Sequence, residues 1–452
     1  MDTPRLQVID QDANFSCGAC SLCCQQPYAI LMEKEKLAAL DEHGFPAHPR
    51  LQNRKLYHES KDAPEGYVVL EKKEGTTHCV FLGDDGLCII HKELGADAKP
   101  RGCSKFPYSI SPTFVEDRIS LDFGCPTVQA DEGRPLAEQK DDIARTCRIA
   151  NAGVYPDATV RLGGGISVPH AEYEALMDDI RDIFAAEEGG LIWSRFDRTL
   201  TLLERIMEEK RPRFSDEDAE TVDDAHAESD AASKAGLAPF DSAPAAPSPV
   251  RMMFASTLLR DVLPPSVHLN LSVWRRVLLL PKLMKIAKLT GEYDSKLLGR
   301  KVDIDAVLAH PLEGGLKEDA SALLRRCIAT RMWQRLLAGT RLPVVAGVHQ
   351  HIQDVNAALF LARAEAHHRG ADTLTRELVG KGLSLVEFNI TNQPRLFNQK
   401  SLSWFTGQLD DPALARQSLR LMALPGSVTR PTEIDAEAVR ESLGEPVAPV
   451  VG

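Results

Sequence analysis

Eight of the chain's ten cysteines fall between residues 17 and 125, and their spacing is that of metal ligands. Cys17-Gly-Ala-Cys20-Ser-Leu-Cys23-Cys24 contains two overlapping C-x2-C steps and an adjacent fourth thiol. Two intervening residues let the backbone turn so that both sulfurs reach one metal ion or neighbouring irons of one cluster, and Gly18 tolerates a tight turn. Cys79, Cys88, Cys103 and Cys125 complete the set. Such a set could serve one cluster with spare redox thiols, or two tetrahedral zinc sites. The C-x2-C-x2-C run followed by a distant Cys125-Pro126 echoes the ligand run of bacterial ferredoxins, whereas zinc sites more often pair two C-x2-C knuckles. An iron-sulfur cluster is therefore the first expectation and zinc the alternative. Cys24 lies too close to Cys23 for both to chelate one metal comfortably, which leaves it as a spare, reactive thiol.

The remaining candidates read differently. Cys147 and Cys327 sit in helical or linking sequence and are expected in the core. His78 and His91 flank ligand candidates and are secondary candidates for zinc. His349 and His351, two apart on a helix, point roughly 200 degrees apart and form no chelating pair. Gly163-Gly164-Gly165, the only run of three glycines, follows no acidic strand motif and reads as a turn.

The elements that must position these thiols are short. Residues 1–130 hold many Gly and Pro and no long helical period, so they read as a small, irregular, Cys-rich metal-binding domain. A helix is predicted from Glu33 to Glu42, stopped near Gly44, and a strand over Tyr67–Leu70. Asp85-Gly86, between apolar runs, predicts a β-hairpin that sets Cys79 and Cys88 on one face of a ribbon. Residues 131–210 form a helical region, with helices over Ala171–Glu187 and Leu191–Glu209. An acidic, then Ala- and Pro-rich linker over 211–250 is expected to be disordered. A second helical domain over 251–425 carries helices at Met252–Leu263, Ser272–Leu289, Asp319–Leu337, Val344–His368 and Thr373–Asn389, and the tail over 426–452 is expected to be disordered. The expected fold class is mainly α, a small Cys-rich unit with a β-hairpin followed by a larger helical domain.

Charge and hydropathy exclude some partners. With 53 basic against 65 acidic residues, a net charge of -12 opposes binding to phosphate backbones, so nucleic acid is not an expected partner. The apolar run Val277–Leu280 falls far short of the roughly 20 residues of a membrane helix, and nothing near Met1 resembles a signal peptide. The expected setting is cytoplasmic, where clustered cysteines serve more often as metal ligands or redox groups than as structural disulfides.

Taken with their contexts, these segments resemble a known family. Cys17 to Cys24, Cys79-Val-Phe-Leu, Leu87-Cys88-Ile-Ile-His91, Lys99-Pro-Arg-Gly-Cys103-Ser-Lys-Phe-Pro107 and Ile119-Ser-Leu-Asp-Phe-Gly-Cys125-Pro126 resemble the zinc- or iron-chelating cysteine-cluster family. Within it they are most similar to the flagellin lysine N-methylase branch. Phe106 stands where that pattern has Tyr, and no Arg follows Pro107. The match covers residues 15 to 130; beyond it only general layout agrees, with Glu377-Leu-Val and Val386-Glu-Phe-Asn389 near the end. The resemblance implies metal binding by Cys17, Cys20, Cys23, Cys24, Cys79, Cys88, Cys103 and Cys125. In that branch it further implies S-adenosylmethionine-dependent methylation of lysines on a protein substrate, flagellin by family analogy. Three ligands from Cys17, Cys20 and Cys23 would leave one iron open to the donor, although the first gap holds two residues where radical enzymes have three. The alternatives are a non-catalytic, metal-stabilised protein-interaction module and a redox or iron sensor.

Overall fold

The chain was described from a computed structural model covering residues 6–26, 28–51, 54–61, 63–113, 116–148, 159–186, 191–211, 249–262, 281, 284–334, 342–391, 410–419 and 421. Strands β1 (Leu6–Ile9) and β2 (Asn14–Phe15) come first, then β3 (Leu31–Glu33), α1 (Leu37–Glu42), β4 (Tyr57–His58) and β5 (Tyr67–Leu70). Next come α2 (Ile89–Leu94), α3 (Arg101–Lys105), β6 (Tyr108–Pro112), β7 (Glu116–Leu121), α4 (Pro126–Ala130), β8 (Arg134–Pro135) and α5 (Lys140–Arg148). The hairpin β9 (Thr159–Gly163) and β10 (Ile166–Pro169) precedes α6 (His170–Ala185) and α7 (Ile192–Glu209). Then follow α8 (Pro249–Val262), β11 (Glu292–Ser295), β12 (Arg300–Asp303), α9 (Ile304–Ala309), β13 (Gly315–Leu316) and α10 (Glu318–Trp333). The described chain continues through α11 (Val344–Arg369), β14 (Thr373–Leu374), α12 (Arg376–Val386), a π-helical turn (Glu387–Thr391) and α13 (Pro412–Leu419). The fold is mainly α, with small sheets concentrated in the N-terminal part.

Helix periodicity explains the larger part. In α7, Ile192, Trp193, Phe196, Leu200, Leu203 and Met207 are buried, a stripe at three- and four-residue spacing that faces the core. The central helix, α11, is buried on almost every side from Val344 to Ala362, as a helix ringed by others must be. It packs against α7, α8, α12 and α13. Gly370 ends α11 with φ 65, and its N–H bonds back to His367, a left-handed cap that glycine adopts at little cost. Thr375 caps α12 by accepting a hydrogen bond from the Leu378 N–H. Gly164 and Gly165, with φ 54 and 80, form the β9–β10 turn expected of the glycine run.

Among the described residues there are two main hydrophobic cores, besides a three-residue cluster of Met253, Leu342 and Ala346. A small one gathers Met32, Leu40, Phe45, Val68, Leu70, Phe81 and Ile89, around the β3–β5–β4 sheet. The large one is helical but also takes in Ile9, Phe15, Ile119, Leu121, Phe123 and Val128. The β1–β7–β6 sheet, in which β1 runs parallel to β7, thus belongs to the helical core although it lies within the first 130 residues.

The helix expected from about Glu33 to Glu42 forms over Lys34–Lys36 (3₁₀) and α1 and stops at Gly44, with Glu33 itself ending strand β3, which pairs with β5. The expected hairpin is corrected. The Asp85-Gly86 turn forms, with Gly83 N–H bonding to Leu87 O at 2.8 Å. The ribbon around it does not. Only an isolated Leu82–Cys88 bridge flanks the turn, Cys79 pairs back to Lys72, and Ile89-Ile90 start α2. Cys79 and Cys88 therefore do not share a hairpin face. Most of the predicted linker 211–250, most of the predicted helix Ser272–Leu289 and the tail 426–452 lie outside the described residues.

Candidate metal centre

The Cys17–Cys24 loop leaves β2 and is shaped by two non-glycine residues in the left-handed region, Ala19 (φ 52) and Ser21 (φ 58). Each costs about 1–2 kcal/mol relative to right-handed backbone, so surrounding contacts must hold them. They do. Cys24 N–H bonds to Ser21 O at 2.8 Å and closes the Leu22–Cys24 3₁₀ turn, Gln25 donates to Ser21 Oγ at 2.7 Å, and Tyr28 Oη donates to Cys23 O at 2.8 Å. Gly18 itself is not left-handed. Its hydrogen instead allows close approach, because a Cβ there would sit 2.9 Å from Thr127 Oγ1. The loop is thereby laid against the Cys125-Pro126-Thr127 segment.

The distant cysteines arrive on separate elements. Cys79 N–H donates to Cys24 O at 2.8 Å, stitching the second segment to the first. Cys88 precedes α2, Cys103 lies in α3, and Cys125 precedes α4, whose first residue is Pro126. Proline suits that position because its missing N–H has no intrahelical partner to lose, which gives the Cys-Pro pair a local structural reason.

The structure sorts the eight thiols into two groups. Cys23, Cys24, Cys79, Cys88 and Cys103 line one cavity of about 690 Å³. Cys17, Cys20 and Cys125 do not; Cys17 and Cys20 are exposed, while Cys125 is buried and feels the Cys20 thiol electrostatically. Cys147 and Cys327 are buried in the large core, as expected. His78 and His91 do not line the cavity. His349 faces Ser418 and His351 faces Arg331, so they share no site. Among the described residues, no three His, Cys, Asp or Glu side chains stand in a ready-made metal-ligating arrangement. The five thiols border the same space without converging on a point within it.

The electrostatics of these thiols follows from their burial and mutual proximity. Burial pushes the Cys79 thiol up to about 11, and burial together with the Cys79 thiol pushes Cys103 up to about 12. The adjacent Cys24 thiol, followed by burial, drives Cys23 higher still. Neutral thiols attract one another little, and thiolates without a cation would repel. Lys99 favours ionised Cys23 and Cys103, and Lys72 favours ionised Cys79. The donor set therefore suits a soft cation in type and enclosure, since a metal deprotonates its thiol ligands outright.

Other residues at this cavity were not legible as site residues. Tyr28, Phe106 and Phe388 form an aromatic wall, with Phe388 5.3 Å from Phe106 and 6.0 Å from Tyr28 between ring centroids. Asp122 adds a carboxylate to the lining and Lys99 an ammonium. Lys72 Nζ lies 5.5 Å from the Tyr28 ring centroid. Lys99, Phe106, Asp122 and Phe388 lie in stretches singled out in the sequence, but as parts of motifs and not as a wall of the thiol cavity.

Fold and site together define a mainly α protein whose cysteine-lined cavity lies beside a small β-containing core. The chain is similar to the flagellar biosynthetic protein FliU of Salmonella muenchen, with 29% identity over 133 residues that cover 25% of this chain and 69% of that protein. No family model and no solved structure matches the chain. Among the described residues, no helix is long and apolar enough to cross a membrane.

Proposed function

We propose that this chain is a metal-holding cysteine-cluster protein, with an iron-sulfur cluster as the first reading and zinc as the alternative. One observation carries it: thiols from four separate segments, Cys23 and Cys24, Cys79, Cys88, and Cys103, line one cavity flanked by Lys72 and Lys99. Cys23, Cys79, Cys88 and Cys103 are the residues that would hold the metal there. Cys24 would keep a thiol beside them, while Cys17 and Cys20 lie exposed outside the cavity and Cys125 lies buried behind them. Bound iron or zinc would supply thiolate-stabilised positive charge at a partly enclosed site.

The attached activity is proposed as transfer of a methyl group from S-adenosylmethionine to lysine on a protein substrate. The five-segment resemblance supports it, and so does the similarity to a protein named for flagellar biosynthesis. A cavity of about 690 Å³ is of the size that holds small-molecule donors. The exposure of Cys17 and Cys20 favours a second reading, a redox sensor, because accessible thiols are the ones that oxidise readily.

Purification without oxygen, with iron, sulfide and zinc analysis and an absorption spectrum, tests the metal. Near-stoichiometric iron with sulfide and a broad blue-end band is the expected result. A well-folded preparation that is metal-free and indifferent to chelators would sink it. Incubation with labelled S-adenosylmethionine and flagellin or other protein substrates tests the reaction. Absence of labelled lysine with the metal intact would favour the binding module or sensor.

A further inference from the structure

The part of the cavity wall made by Asp122 and Phe388 is backed by a buried ionic group. Gly124 is the hub: a Cβ there would lie 3.0 Å from Asp122 Oδ1, 3.2 Å from Phe388 Cε2 and 3.3 Å from Glu387 Cβ. Only a residue without a side chain lets these three meet. Glu387, next in the chain to Phe388, is 5% exposed and opens the π-helical turn, a distortion that is frequent at functional sites. Arg331 from α10 is ion-paired to it, and Cys327 Sγ on the same helix lies 3.9 Å from Glu387 Oε1. From α11, His351 Nδ1 and Asp354 Oδ2 stand 2.8 Å and 3.4 Å from Arg331 Nη1.

We propose that this corner handles the amine of the substrate: Asp122 and the aromatic wall hold an alkylammonium group in the cavity, and Glu387, kept in place by Arg331, accepts its proton. The inference rests on the lysine-methylation reading. Aromatic faces attract an ammonium, and a carboxylate gives it a charge-assisted hydrogen bond. Methyl transfer needs the nitrogen lone pair, so an N–H bond must break and an O–H bond form on a carboxylate, leaving a neutral amine and a carboxylic acid. Burial, reinforced by Asp122 and Asp354 and opposed by Arg331, brings Glu387 up to about 7, so near neutral pH it can exchange a proton in either direction. Cys327, behind it, has its thiol pushed well up by burial and stays protonated.

Calorimetry on the metal-loaded full chain tests this with N-α-acetyl-lysine methylamide and its norleucine counterpart, which lacks the amine. The lysine probe is expected to bind at least about tenfold more tightly, a difference of about 1.4 kcal/mol. In buffers of different ionisation enthalpy it should release a fraction of a proton near pH 7, a fraction that falls as pH rises from 6 to 8. Glu387→Gln should lose that release, and Glu387→Asp should restore it with a displaced pH dependence. Equal affinity for the two probes would overturn the proposal. So would proton release that is unchanged in folded Glu387→Gln or, should that variant not fold, a pH-independent release by the wild type. Metal content is read on the same preparation. A protein that discriminates lysine but holds no metal contradicts the metal reading alone; one that holds metal and ignores the amine contradicts this inference alone.

Discussion

Cys103 and Cys327 are thiols shielded by different surroundings, and the difference predicts different losses. Cys103 has Cys79, Cys88, Cys23 and Lys99 as electrostatic neighbours and lines the cavity. Cys327 lies in the large core. Cys103→Ser should weaken metal binding by about tenfold or more, because one ligand is replaced by a poorer donor. Cys327→Ala should leave metal content unchanged and cost about 1–2 kcal/mol of stability through the cavity it leaves. Metal analysis and urea unfolding of both variants separate the two roles; metal loss in Cys327→Ala would contradict the assignment. Glu387 gives a pH signature. Its folded-state value is raised from 4.5 to about 7, so between those values the folded state binds more protons than the unfolded one. The associated stability is full below the unfolded value and is lost as pH rises through 7, an effect of about 1–3 kcal/mol. Thermal melts from pH 5 to 8 should show this slope in the wild type and its absence in Glu387→Gln.

At the scale of elements, the contact between α11 and α12 depends on Gly382. A Cβ there would drive into the Ala358 carbonyl oxygen, which is backbone and cannot swing aside. Gly382→Ala should force the helices apart and cost about 1–3 kcal/mol, read as a lower urea midpoint; an unchanged midpoint would mean that the pair has slack. Both helices were legible, because their apolar residues recur at helical spacing. Strand β3, just before the expected helix, was not, since it is defined by pairing with β5, more than thirty residues away. Ile89-Ile90 could have continued a strand or begun a helix, and short apolar runs do not decide between the two. The same division holds for the site. Four cysteines within eight residues announce themselves locally. The separation of Cys17 and Cys20 from the cavity, and the meeting of Asp122 with Phe388, arise from packing between segments far apart in sequence.

Across the whole molecule, the cysteine segments are fastened to the helical core through α4. Gln129 Nε2 donates to Phe123 O at 2.7 Å, Ser384 Oγ at 2.9 Å and Gly380 O at 3.0 Å, and Ser384 Oγ donates in turn to Gly124 O at 2.9 Å. Near the end of α4, Arg326 donates to the carbonyls of Val128, which also accepts from Asp131 N–H, and Gln129, and Arg376 donates to that of Gln129. A buried amide bridging two helices and a loop ties their stability together, because its removal leaves several polar groups unpaired at about 1–3 kcal/mol each. Trp193 and Trp333 report on the helical side, and thiol accessibility reports on the cysteine side. In urea the two signals should change together in the wild type, and Gln129→Ala should move both midpoints down in step. Since the site proposed for the amine straddles this junction, cooperative unfolding is what the geometry requires: Asp122 on one side and Glu387 on the other keep their approach around Gly124 only while α4 and α12 stay joined. Thiol exposure well ahead of the tryptophan transition would mean that the cysteine cavity opens without the helices, and the shared wall would then not persist.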